Sequence, residues 1–106
     1  MPTVTLDTKA INDWDSFHTV CREAFGFPEF YGRNGNAFID CLSYLDGGMT
    51  RFALKAGETL IVELPDADEF AKRAPEQAMA LLGWIGDVNA RSVEVGEPPQ
   101  VMLLPL

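Results

Sequence analysis

The chain has 106 residues, 47% of them hydrophobic and 10% aromatic, enough to bury one core; this excludes a disordered tail. No run approaches the roughly 18 uninterrupted apolar residues of a membrane span, and sixteen acidic against eight basic residues give a net charge of −8. That charge excludes the basic footprint of a nucleic-acid binder and disfavours anionic membranes, while it permits salt-sensitive capture of a basic partner.

The N-terminus, MPTVTLDTKAINDW, carries no cationic segment followed by an apolar run. The expected location is the cytoplasm, and residues 1–106 are expected to form a single domain. Thr3 to Leu6 reads as a short strand. Asn12 or Asp13 can cap a helix on which Trp14, Phe17, Cys21, Ala24 and Phe25 keep helical spacing, and Gly26 stops it. Pro28 forces Phe27 toward extended geometry. Glu29 to Asn36, with two glycines and two asparagines, reads as a loop whose Asn34 caps a second helix running to about Asp46. On that helix Ala37, Phe38, Cys41, Leu42 and Leu45 share one side, and Asn36, Asp40 and Ser43 point away from it. Gly47-Gly48 breaks the helix.

Residues 49–58 fit a loop or an irregular strand with a turn at Ala56-Gly57. Thr59 to Leu64 is the clearest strand, apolar and β-branched enough for a buried parallel one. Pro65-Asp66 opens a short third helix, with Asp66, Asp68 and Glu69 in its first turn, where the helix dipole favours anions. Pro75 opens a fourth, with an apolar stripe of Ala78, Leu81, Leu82, Ile85 and Val88. Gln100 to Leu104 is the last strand. Strands separated by helical crossovers predict an α/β fold: a small three-stranded parallel sheet with about four packed helices.

Signatures of catalysis are weak. GRNG at 32–35 has no lysine and no leading strand, so it does not make a phosphate loop, and Walker A and GxGxxG patterns are absent. His18 stands three residues before Cys21, but a thiol nucleophile also needs a positioned base and an oxyanion site. Cys21 and Cys41 form neither a CxxC pair nor a zinc-spaced cluster and are expected as buried free thiols. No cofactor and no metal are expected. Residues 27–46 hold more. Phe30 and Tyr31 flank Gly32, Ile39 borders the polar stripe, and Tyr44 follows Asp40 by four, so that aromatics surround one helix-borne carboxylate as at an interface hot spot.

The segment FPEFYGRNGNAFIDCL, residues 27–42, resembles the signature of the barstar family, intracellular inhibitors of barnase-type ribonucleases. The shared pattern is Pro-Glu-aromatic-Tyr-Gly-x-Asn, then Ala and Asp-Cys-Leu, and the order of strands and helices agrees with the family's fold. The resemblance implies a loop and second helix that enter the cationic active site of a guanyl-preferring ribonuclease, with Asp40 in the phosphate position. It also implies contacts from Tyr31, Gly32, Asn34 and, without its hydroxyl, Phe30. Departures accompany it. Asn36 stands where a second acid is usual, Gly35 and Ile39 replace a leucine and a tryptophan, and Arg33 adds a positive charge to the loop. On the fourth helix Asp87 matches an acidic contact loosely, whereas Arg91 falls where another acid belongs. Residues 49–58 look like an expansion. The expected function is therefore a monomeric, non-enzymatic ribonuclease inhibitor or antitoxin-like protein. Its surface comprises Phe30, Tyr31, Gly32, Asn34, Gly35, Asn36, Ile39, Asp40, Ser43, Tyr44 and Asp87, and its partner is a basic, extracellular-type ribonuclease that need not be barnase itself. Two other readings are an interaction module for a different basic protein, and an enzyme using His18, Cys21 or Cys41.

Overall fold

The computed structural model describes residues 1–45 and 48–106. Three strands, β1 (Thr3–Thr5), β2 (Leu60–Leu64) and β3 (Val101–Pro105), form one parallel sheet in the order β1-β2-β3. Val4 pairs with Val62, and Val62 with Leu103. The first crossover contains a 3-10 turn at Thr8–Ala10 and helices α1 (Trp14–Phe25) and α2 (Gly35–Ser43); the second contains α3 (Ala67–Arg73) and α4 (Pro75–Glu94). Among the described residues, the α/β arrangement with three parallel strands and four α-helices is the one the sequence predicts.

Local chemistry sets the helix ends. Asp13, not Asn12, caps α1: its carboxylate accepts from the Ser16 amide at 2.8 Å, and Ser16 Oγ accepts from the Asp13 amide at 3.0 Å. Those hydrogen bonds hold the Asp13 carboxyl below its usual range. Gly26 ends α1 with φ +70°, and a Cβ there would lie 2.7 Å from Cβ of Arg51, so both backbone and space call for glycine. Arg51 crosses beneath this end. Its amide donates to the Phe25 carbonyl at 2.9 Å and its Nε to that of Ala24 at 2.8 Å. Arg51 thus satisfies two of the terminal carbonyls of α1; residues 48–58 form no strand, bury Thr50 and Leu54 and turn at Ala56-Gly57.

The core side of β2 buries Leu60, Val62 and Leu64, while Ile61 and Glu63 alternate onto a half-buried face. This differs from a strand covered on both sides, and Thr5 meets the Glu63 carboxylate at 2.8 Å on the open face. Asn89 of α4 clamps the start of β3. Its amide group donates to the Val101 carbonyl at 2.9 Å and accepts from the Gln100 and Val101 amides at 3.1 and 3.0 Å. The third helix begins one residue later than expected, because Asp66 takes a left-handed conformation with φ 54° and stays outside it. Leu82 is 60% exposed and so is not part of the predicted stripe; the buried row of α4 is Gln77, Leu81, Ile85, Val88 and Ser92. The expected second-helix end at Asp46 and the break at Gly47 lie outside the described residues, and regular helix stops at Ser43.

Candidate partner-binding surface

Chain geometry divides the loop at 27–34 into an outward and an inward part. The Tyr31 amide donates to the Pro28 carbonyl at 3.0 Å, closing a turn that leaves Phe30 76% exposed and drives Tyr31 inward. Tyr31 packs on Phe27, ring centroids 4.8 Å apart, and its hydroxyl lies 2.6 Å from Nδ1 of His18, itself buried on α1. Burial pushes the Tyr31 hydroxyl above its ordinary range, helped by the nearby thiols of Cys21 and Cys41. It holds His18 below its own range, with the Arg33 charge adding to the shift and Asp15 opposing it. The pair is therefore neutral at pH 7. It ties the loop to α1 from beneath.

The next residues set the direction of α2. Asn34 caps it, accepting from the Ala37 amide at 2.8 Å. Arg33, at φ 55°, turns its guanidinium back onto α1. There Nη2 donates to the carboxylate and carbonyl of Asp15, both at 2.7 Å, and to Thr19 Oγ1 at 3.0 Å. The charge that Arg33 brings to the loop is thus compensated away from α2. Gly35 lies against α4: a Cβ there would meet Cε2 and Cζ2 of Trp84 at 2.8 Å. The Trp84 indole stacks on Trp14 and His18 at 5.8 and 6.2 Å and meets Phe17 and Phe38 at 5.6 and 5.5 Å.

Phe30, Gly32, Asn34, Asn36, Asp40 and Tyr44 are all exposed, giving a polar and aromatic ridge along the loop and α2; Asp87 is exposed on α4. Ile39 and Tyr31 are buried instead, and Gly35 and Ser43 half-buried. Ser43 directs its hydroxyl to the Ile39 carbonyl at 2.6 Å. Of the residues assigned to the surface from sequence, Tyr31 and Ile39 thus stand beneath it and carry it. Asp40 is not solitary. Its Oδ1 accepts from Nη1 of Arg91 at 2.8 Å, in a half-exposed ion pair that joins α2 to α4. Trp84 and this pairing escape a reading along the chain. The available signal was the seven-residue spacing of Trp84 and Arg91, which puts both on one face of α4, the face that meets Gly35 and Asp40 of α2.

The two thiols of the chain are buried. Cys21 and Cys41 are free thiols inside the core, and desolvation raises both pKa values, opposite to what a thiolate nucleophile requires. Among the described residues, no three His, Cys, Asp or Glu side chains converge as a metal site would need, and no helix is long and apolar enough to cross a membrane.

Residues 1–103 match the model of the Barstar family, described as barstar (barnase inhibitor). The chain belongs to this family. The barstar family is one of inhibitors rather than catalysts, and its members bind barnase-type ribonucleases. No curated protein matches the chain at a significant level.

Proposed function

We propose that this barstar-family chain inhibits a guanyl-preferring ribonuclease by inserting the ridge of loop 27–34 and α2 into its active site. The carrying observation is Asp40: a half-exposed carboxylate on a helix fixed by the Asn34 cap, on a ridge shared with exposed Phe30, Asn36 and Tyr44. A ribonuclease site is cationic because it holds an RNA phosphate. A carboxylate offers the same arginine, lysine or protonated histidine groups short charge-assisted hydrogen bonds, and exclusion of water by the flanking aromatics strengthens them. The net charge of −8 draws a basic nuclease inward, so association is fastest at low salt. The inhibitor acts as a monomer in the cytoplasm, in the manner of an antitoxin, and forms a one-to-one complex.

The test is inhibition of RNA cleavage by a panel of guanyl-preferring bacterial ribonucleases, for the natural chain and for Asp40→Ala. An exposed ion pair contributes about 0.2–1 kcal/mol, so the variant keeps its fold within about 1 kcal/mol. Loss of inhibition with the fold retained is the expected result. Equal potency in the variant removes Asp40 from the mechanism.

A further inference from the structure

Two arginines border the ridge, and they are held in opposite ways. Arg33 folds away from α2 onto Asp15 and Thr19 of α1. Arg91, near the C-terminal end of α4, reaches toward α2, and its Nη1 donates to Asp40 Oδ1 at 2.8 Å. Both partners remain about half exposed, with 49% of the Arg91 and 58% of the Asp40 side chain open to solvent. The carboxylate best placed to receive a cation from outside therefore already holds one from within.

We propose that Arg91 masks Asp40 and is a specificity-determining residue of the surface, an inference that rests on the inhibitor reading above. Opening the mask costs little, because an exposed pair shifts an equilibrium by no more than about fivefold. The discriminating effect comes on contact. A nuclease whose site presents only cations to the ridge meets the Arg91 guanidinium as a like charge beside the carboxylate it needs. A nuclease that carries a carboxylate next to its cation exchanges partners: its cation takes Asp40, and its carboxylate takes Arg91. Arg91 also lines a cleft of about 500 Å³ with Tyr44, Lys55, Glu58 and Val95, through which such an acceptor reaches the guanidinium from the side. The partner selected is thus a cationic site bordered by an acid, and rejection of the uniformly cationic alternative is built into this side chain.

The experiment compares inhibition constants of the natural chain, Arg91→Met, Asp40→Asn and the double variant. The targets are two barnase-type ribonucleases, one with only cations at its contact site and one with a carboxylate among them. Methionine retains much of the apolar stem without the charge, and thermal denaturation establishes that each variant is folded. Arg91→Met is expected to tighten inhibition of the uniformly cationic nuclease about tenfold or more. The gain should vanish in the Asp40→Asn background. Inhibition by Arg91→Met where the natural chain gives none supports the inference equally. If the natural chain inhibits, Asp40→Asn does not, and Arg91→Met leaves the cationic nuclease unchanged or weakens its inhibition, the mask is refuted while the inhibitor reading stands. Silence of all four proteins toward both nucleases removes the inference together with that reading.

Discussion

Gly35→Ala gives a demanding test of how α4 supports the ridge. Gly35 begins α2 and is not among the residues with positive φ, so alanine meets no backbone strain and should gain up to about 1 kcal/mol of helix propensity. The obstacle is Trp84. A Cβ at position 35 would lie 2.8 Å from Cε2 and Cζ2 of the indole and 3.1 Å from its Nε1. The ring has little freedom to retreat, being stacked on Trp14 and His18 and set against Phe17 and Phe38. Overpacking of this kind costs about 1–3 kcal/mol. An approach of 2.8 Å to a ring packed among four others puts the cost in the upper part of that range, about 2–3 kcal/mol; less a propensity gain of about 1 kcal/mol, Gly35→Ala should destabilise by about 1–2 kcal/mol, a fall in Tm of about 5–10 °C for a chain of this length. Urea and thermal denaturation followed by tryptophan fluorescence measure it. In a Trp84→Ala background the same change should be neutral or stabilising, because the obstructing ring is gone. A wild-type background in which Gly35→Ala is neutral or stabilising refutes the claim that the Trp84 ring fixes this position.

Other outcomes follow from the buried pair under the ridge. Because burial lowers the folded-state pKa of His18 below its ordinary value of 6.5, the folded protein binds fewer protons than the unfolded chain as pH falls. This contribution is complete above pH 6.5 and is lost as pH drops through the lowered value; His18→Gln should flatten that part of a stability–pH profile. Tyr31→Phe keeps the ring and removes the hydroxyl that meets Nδ1 of His18 at 2.6 Å, leaving a buried polar atom unpartnered. A loss of about 1–3 kcal/mol by chemical denaturation is expected, and an unchanged midpoint would show that the contact adds nothing.

What could be read along the chain was whatever short-range chemistry decides. Asp13 and Asn34 cap helices because their side chains reach amides three residues on, and Pro75 opens α4 because its missing N–H has no role there. Gly26 stops α1 for the same local reason, although the clash with Arg51 that also demands glycine was hidden. The local turn at Pro28 sends Tyr31 inward, but the partner that receives its hydroxyl there is His18, thirteen residues earlier. A helical wheel leaves Ile39 at the border of the polar stripe, but it belongs to the same buried cluster as Phe38 and Leu42. Leu82 fails in the opposite direction: the wheel sets it beside Leu81, yet the elements packed on α4 cover a narrower arc than its apolar stripe. Asp40 was legible as a carboxylate on the polar face; its pairing with Arg91, fifty-one positions away, was not, since only the packing of α4 against α2 brings them together. Charge at this surface is therefore a property of two helices jointly. Counting acids along α2 alone describes a ridge with a free anion, whereas the folded chain presents a carboxylate shared with a guanidinium, and a partner has to match both.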